Sequence, residues 1–321
     1  MKLRLNRSEL AVPGFRTELF EKAAKSNCDV IFLDLEDSVD IKEKKNARSN
    51  VIEAINDIDW NNKTLSVRVN APSTSFFKDD LEQILENANN NLDLLMIPKA
   101  ENVSDIKKID KIISFYEKEK KISVGIELII ETTKGLINIE NLAKASQRNE
   151  ALHFGAADLA ASMGAKILNI GGVSSDYGTL ENKNNTNANR IFYLNDIWHY
   201  ALFKILITAR AFGLRAIDCP FGDFSDNQGF LALAKKSYAM GFDGKMVIHP
   251  NQIPLANKIY MPSDKEIHEA KQILEAMNQA RTLGKGSIAF NGKLLDIVSI
   301  KQAKNVVYIT EQLALQEKEN D

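Results

Sequence analysis

A chain of 321 residues, 26% charged with a net charge of −2, is long enough for one barrel-sized domain plus an extension. Its acids and bases are interspersed, which excludes a dedicated nucleic-acid binder but not local anion sites. Two cysteines without CxxC spacing (Cys28, Cys219), a polar start (MKLRLNRSEL) and no apolar run of spanning length exclude a disulfide framework, a signal peptide and a membrane span, and predict a cytoplasmic protein.

Short apolar runs alternate with longer amphipathic stretches. Strands are predicted at Leu10–Val12, Val30–Leu35, Leu65–Val69, Leu92–Ile97, Ile122–Ile130, Ala151–Phe154, Ala216–Ile217 and Gly244–Ile248. Helices are predicted between most of them, at Glu18–Ala24, Lys42–Ile55, Asp79–Ala88, Ser104–Glu119 and Asp226–Met240. Strand and helix in alternation imply a parallel sheet, and eight such units match an α/β (β/α)8 TIM barrel of roughly 250 residues. A doubly wound open sheet is the main rival, but the Gly-rich phosphate loop that such a sheet carries after its first strand is missing. Residues 166–195, with paired Gly and many Asn, read as a long loop or lid after the sixth strand. After Pro262 comes a helix stopped by glycines, then a hairpin around Asn291-Gly292, then a last helix from Ser299. The expected division is therefore a catalytic barrel over 1–262 and a C-terminal extension over 263–321.

Active sites of such barrels lie at the C-terminal strand ends. Read in order, those ends carry Pro13-Gly14-Phe15-Arg16, then Asp34-Leu35-Glu36-Asp37, Arg68, Lys99, Glu131, Asp158, Asp218 and His249-Pro250. Each has a purely structural reading. Asp37 and Asp158 could cap helices, Arg68 could pair with Glu36, and Asp218 could serve a turn. Collected at one rim of otherwise apolar strands, they favour a site. His153, His199 and His268 are assigned to structure and packing.

Glu131 and Asp158, 27 residues apart and with no His or Cys cluster beside them, suit a hard cation such as Mg²⁺. A 2-oxo acid could chelate that ion through its carboxylate and carbonyl oxygens, with Arg68 stabilising a developing oxyanion. This equipment suits carbon–carbon cleavage or formation through an enolate. The sixth strand ends without a Schiff-base lysine, and Lys99 is the one candidate of that kind, so the metal route is preferred.

The segments RSELAVPG, LDLEDSV, VRVN, IPKA, IIET, FGAADLAASMG, IDCPFGDFSD and GKMVIHPNQI together resemble the HpcH/HpaI-type, citrate lyase β-like lyases, within them the malyl-CoA and β-methylmalyl-CoA lyases, from Arg7 to about Val307. The resemblance implies a (β/α)8 barrel with Mg²⁺, or Mn²⁺ in its place, on Glu131 and Asp158, with Arg68 beside glyoxylate. It implies acyl-CoA contacts at Arg16, Lys22, Ala11, Val12, Ala157, Ile248 and His249, and supporting roles for Glu36, Asp37 and Lys99. It also implies a homotrimer or dimer of trimers in which Asp296 acts as acid/base in a neighbouring subunit's site. Taken alone, an Asp between Leu295 and Ile297 reads as a cap or turn residue. The expected activity is cleavage of (S)-malyl-CoA to acetyl-CoA and glyoxylate, and of β-methylmalyl-CoA to propionyl-CoA and glyoxylate. The alternatives are malyl-CoA thioesterase, citramalyl-CoA lyase, a citrate lyase β subunit, and a non-catalytic protein on the same barrel.

Overall fold

The computed structural model describes residues 4–181, 190–282, 284 and 286–319. The chain divides into two compact units, Met1–Asn257 and Lys258–Asp321. The first contains β1 (Ser8–Pro13), β2 (Val30–Asp34), β3 (Thr64–Arg68), β4 (Leu94–Ile97), β5 (Gly125–Ile130), β6 (Asn149–Phe154), β7 (Gly178–Leu180), β8 (Phe192–Leu194), β9 (Arg215–Asp218) and β10 (Gly244–Val247). Eight of these close a parallel barrel in the order β1-β10-β9-β6-β5-β4-β3-β2. The closed ring decides between the two predicted architectures, in favour of the (β/α)8 barrel.

The strands read as near-continuous apolar runs because each is covered on both faces, by helices outside and by side chains within. Phe32, Met96, Ile129, Ala151, Ile217 and Met246 form a buried cluster, with Ala11 packed against it. Burying such a large side chain contributes about 1.5–3 kcal/mol. Helix starts follow local chemistry. The Thr132 hydroxyl accepts from Gly135 N at 3.0 Å, and Asp226 Oδ1 accepts from Gly229 N at 2.8 Å. Gly244 opens β10 where any Cβ would collide with the Asn6 carbonyl.

The predicted loop at 166–195 is partly a hairpin. β7 and β8 pair antiparallel, Gly178 with Leu194 and Leu180 with Phe192. The β-prone run Phe192-Tyr193-Leu194 forms its second strand. Residues 182–189 of that predicted lid lie outside the described residues. In the second unit, Ser263 and Glu266 form a reciprocal capping box at the start of helix Asp264–Thr282 (2.8 and 3.3 Å). β11 (Ile288–Phe290) and β12 (Lys293–Leu295) pair around Asn291-Gly292, both at positive φ as a two-residue hairpin turn requires. The last helix, Ile297–Glu319, begins two residues ahead of the predicted Ser299 because Asp296 caps it.

The barrel interior also holds charge. Glu9, Glu127 and His153 are fully buried and lie close enough together to hold a metal ion. The geometry suits a proton better. His153 Nδ1 is 3.6 Å from Glu9 and Nε2 is 3.6 Å from Glu127, whereas one metal ion takes one ring nitrogen. An imidazolium there would face one carboxyl group with each N–H, although neither contact is within hydrogen-bond distance. Burial alone would lower the His153 pKa, but Glu9 and Glu127 raise it. Burial lifts the Glu9 carboxyl to about 7, with His153 opposing and Glu127 adding to the rise. A carboxyl raised on folding favours the folded state while protonated. That contribution is complete below the unfolded value of 4.5 and is lost as pH climbs through about 7. Glu9→Gln, neutral at every pH, is therefore expected to gain stability over the parent as pH rises from about 5 to about 8, by on the order of 2 kcal/mol. Urea unfolding across that range reads the difference, and parallel pH profiles for parent and variant would contradict it.

Candidate active site

β2, β3, β4 and β5 deliver Glu36, Arg68, Lys99 and Glu131 at their C-terminal ends, and Asp158 enters from the helix that follows β6. Arg68 forks onto Asp34, Nε to Oδ1 at 2.6 Å and Nη2 to Oδ2 at 2.7 Å, with Nη1 3.4 Å from Glu36. Asp34 is 1% exposed and also accepts from the Glu36 and Ser38 backbones (2.9 and 3.2 Å) and the Ser38 hydroxyl. Burial would raise the Asp34 pKa, but Arg68, Ser38 and the Glu36 amide hold it below the usual carboxylate range. Burial likewise works against the Arg68 charge, and Asp34, Glu36 and Glu131 outweigh it. The guanidinium is thus permanently charged, fixed in orientation, and lies 5.8 Å from the Phe32 ring centroid.

Glu131 is the opposite case. It is 3% exposed, and burial, followed by the like charges of Glu36 and Asp158, pushes its pKa up to about 8. Its Oε1 accepts from Lys99 N at 2.7 Å. The chain packs so tightly there that a Cβ on Gly155 would collide with the Glu131 side chain. Gly155 is the cap residue of helix Ala156–Met163, which sets Asp158 in the first turn rather than as its cap. Asp158 Oδ1 lies 3.4 Å from Lys99 Nζ, which also reaches Asp37 Oδ2 at 3.2 Å and Glu36.

These groups pass a charge test for a divalent cation. Asp34, Glu36, Asp37, Glu131 and Asp158 are five carboxylates. They face three cations, namely Arg68, Lys99 and Lys44, whose ammonium is hydrogen-bonded to the Leu35 and Glu36 carbonyls. With Glu131 ionised two negative charges remain, and one when it is protonated, and all the available donors are hard oxygens. That set fits a hard divalent cation such as Mg²⁺ on Glu131 and Asp158 and not a soft metal.

The other predicted residues divide. Asp37 does not cap the next helix, which starts at Lys44 with Glu43 as its cap residue; it pairs with Lys99. Asp218 is a correction to the rim as read from sequence. Ile217 points into the barrel core, so Asp218 points out, where Lys245 meets it at 2.7 Å and the Cys219 amide at 2.8 Å. Asp34 is the residue that sequence reading passed over as a partner of Arg68. Its place two residues before Glu36 was the available signal. Arg16 is exposed and pairs with Glu18, and Lys22 is exposed as well. Val12 is buried, Ala11 is half-buried, and Ala157 is exposed beside Asp158. Ile248 N donates to Gln252 Oε1 at 2.9 Å, and His249 stacks on Phe224 with centroids 4.8 Å apart and planes at 12°. Asp296 lies in the second unit, where its Oδ1 accepts from Val298 N and Ser299 N (2.8 and 3.2 Å).

A closed parallel barrel with carboxylates and a fixed guanidinium converging on its C-terminal rim defines an enzyme of the metal-assisted aldolase and lyase class. The chain belongs to the HpcH/HpaI aldolase/citrate lyase family, whose model matches residues 7–250. It is 43% identical over 313 residues to an L-malyl-CoA/β-methylmalyl-CoA lyase of Cereibacter sphaeroides, covering 97% of this chain and 96% of the relative. It is 34% identical to the human mitochondrial citramalyl-CoA lyase, covering 94% and 84% respectively. Among solved structures it resembles protein CitE of Mycobacterium tuberculosis in complex with magnesium, acetoacetate and coenzyme A. That match has a TM-score of 0.71 and 26% identity, and covers 94% of this chain and 97% of that one.

Proposed function

We propose that this protein is a Mg²⁺-dependent acyl-CoA lyase that reversibly cleaves (S)-malyl-CoA to acetyl-CoA and glyoxylate, and β-methylmalyl-CoA to propionyl-CoA and glyoxylate. The observation that carries the reading is the meeting of Glu131, Asp158 and Arg68 at one rim, in a chain that aligns end to end with relatives named for that activity. Glu131 and Asp158 would hold Mg²⁺, or Mn²⁺ in its place, and a cation bound there supplies Lewis-acid polarisation of the keto acid's carbonyl.

The remaining work falls to the chain itself. Arg68, already locked to Asp34, presents positive charge where the carbonyl oxygen gains negative charge, and needs no rearrangement to do so. In cleavage the carbinol hydroxyl gives up its proton as its oxygen becomes the glyoxylate carbonyl. The carbon–carbon bond breaks, and its electron pair stays on the acetyl fragment as an enolate. One proton is thus lost from oxygen and one is later gained at carbon. Asp296 of a neighbouring subunit returns a proton to that enolate, and in condensation removes one from the acetyl methyl group. That division of labour requires more than one subunit, and the assembly proposed is a homotrimer or a dimer of trimers. Arg16, Lys22, Ala157 and the Ala11-Val12 and Ile248-His249 backbones line the acyl-CoA path.

Citramalyl-CoA is the second reading, favoured by relatives in which that activity is named. It differs by one methyl group on the carbinol carbon, which places pyruvate where glyoxylate would leave. One methyl group is worth about 10–200-fold in such a pocket. Initial rates on malyl-CoA, β-methylmalyl-CoA and citramalyl-CoA with Mg²⁺ are expected to favour malyl-CoA over citramalyl-CoA by about tenfold or more in kcat/KM. Faster release of pyruvate from citramalyl-CoA would reverse the assignment.

A further inference from the structure

Lys99 touches every carboxylate that the divalent cation would have to share. It follows β4 and Pro98 with φ at +48°, a left-handed conformation that costs a residue with a Cβ roughly 1–2 kcal/mol. That turn gives Lys99 two separate jobs. Its backbone N–H is aimed at Glu131 Oε1 (2.7 Å), while its ammonium sits among Glu36, Asp37 (3.2 Å) and Asp158 (3.4 Å). The first job does not depend on the side chain and the second depends wholly on it. Arg68 cannot substitute, because its fork is committed to Asp34.

We propose that Lys99 is a positioning residue and the built-in counter-ion of the rim. Its ammonium holds Asp158 near Glu36 and Asp37 before the divalent cation arrives, and gives Asp158 up when the cation binds. The inference rests on the metal reading above and adds a consequence with a definite sign. Two like charges cannot share Asp158 closely, so the ammonium competes with the cation it prepares for. Removing it leaves the carboxylates intact, removes a repulsion at a few ångströms, and strips the metal-free site of its balancing charge. The side chain is 28% exposed, so solvent weakens the effect without cancelling it.

The test is a Mn²⁺ titration of the full chain read by electron paramagnetic resonance, at about pH 9 and under nitrogen, where protons compete least for the ligands and Mn²⁺ is not oxidised. Lys99→Met is expected to bind Mn²⁺ about tenfold more tightly than the parent, and to melt several degrees lower in EDTA. Saturating Mn²⁺ should recover the lost melting temperature. Lys99→Arg keeps the charge and is expected to bind within about twofold of the parent, a rescue that a merely structural role would not produce. If the parent binds Mn²⁺ and Lys99→Met binds it equally well or more weakly, the counter-ion role is overturned and the metal site stands. If the parent binds no Mn²⁺, the metal reading falls and this inference falls with it.

Discussion

Glu131→Gln is expected to lose about three orders of magnitude in kcat/KM for malyl-CoA while leaving the metal-free protein at least as stable as the parent. The two effects have one cause. Burial and the neighbouring charges of Glu36 and Asp158 lift the Glu131 carboxyl to about 8, so without a cation it is protonated at neutral pH. Glutamine replaces one neutral group with another of the same shape, and its oxygen still accepts from Lys99 N. What the substitution removes is the ability to ionise for a metal. The sign with pH follows. The raised Glu131 carboxyl favours the folded state below 4.5 and loses that contribution as pH climbs through about 8. In EDTA the variant should therefore pull ahead of the parent with rising pH, by on the order of a few kcal/mol at alkaline pH. Thermal melts in EDTA and steady-state kinetics in Mg²⁺ check both halves. Activity within tenfold of the parent would remove Glu131 from the ligand set.

Arg68→Lys is expected to cost about two to three orders of magnitude in kcat/KM although the charge is kept. Asp34 receives two parallel N–H bonds from the guanidinium, at 2.6 and 2.7 Å, and an ammonium cannot reproduce that fork. The lysine would sit against Asp34 and Glu36 without a fixed direction toward the substrate. Arg68→Met goes further and leaves Asp34 buried without its counter-ion, a loss of about 3–5 kcal/mol in stability. Comparing the two variants by kinetics and urea unfolding separates orientation from charge. Arg68→Lys with more than about a tenth of parental kcat/KM would mean that the fork serves folding alone.

The barrel was legible because each of its strands is an apolar run bounded by polar rims, and because a helix-period stretch separates most of them. The interior charge was not. Glu9 lies just before the predicted strand Leu10–Val12 and Glu127 inside the predicted Ile122–Ile130, and neither drew a role in the sequence. Their parity with the core residues Ala11 and Ile129 turns them inward onto His153. The same parity corrects Asp218, which follows the inward Ile217 and so leaves the rim. The β7–β8 hairpin escaped notice because its strands are three residues long and flank an Asn-rich stretch. Of the candidate site, Arg68, Glu131, Asp158, Glu36, Asp37 and Lys99 come together as their positions at strand ends implied. The left-handed turn at Lys99, which lets one residue serve both Glu131 and Asp158, depends on packing after Pro98, and no residue pattern announces it.

The central claim is that the rim breaks a carbon–carbon bond and not a thioester. Incubating malyl-CoA with the protein and Mg²⁺, while trapping glyoxylate with phenylhydrazine and assaying free thiol in parallel, measures that choice directly. The account predicts glyoxylate without free thiol, abolished by EDTA and restored by added Mg²⁺. Free thiol without glyoxylate, or glyoxylate formation that EDTA does not touch, would contradict it.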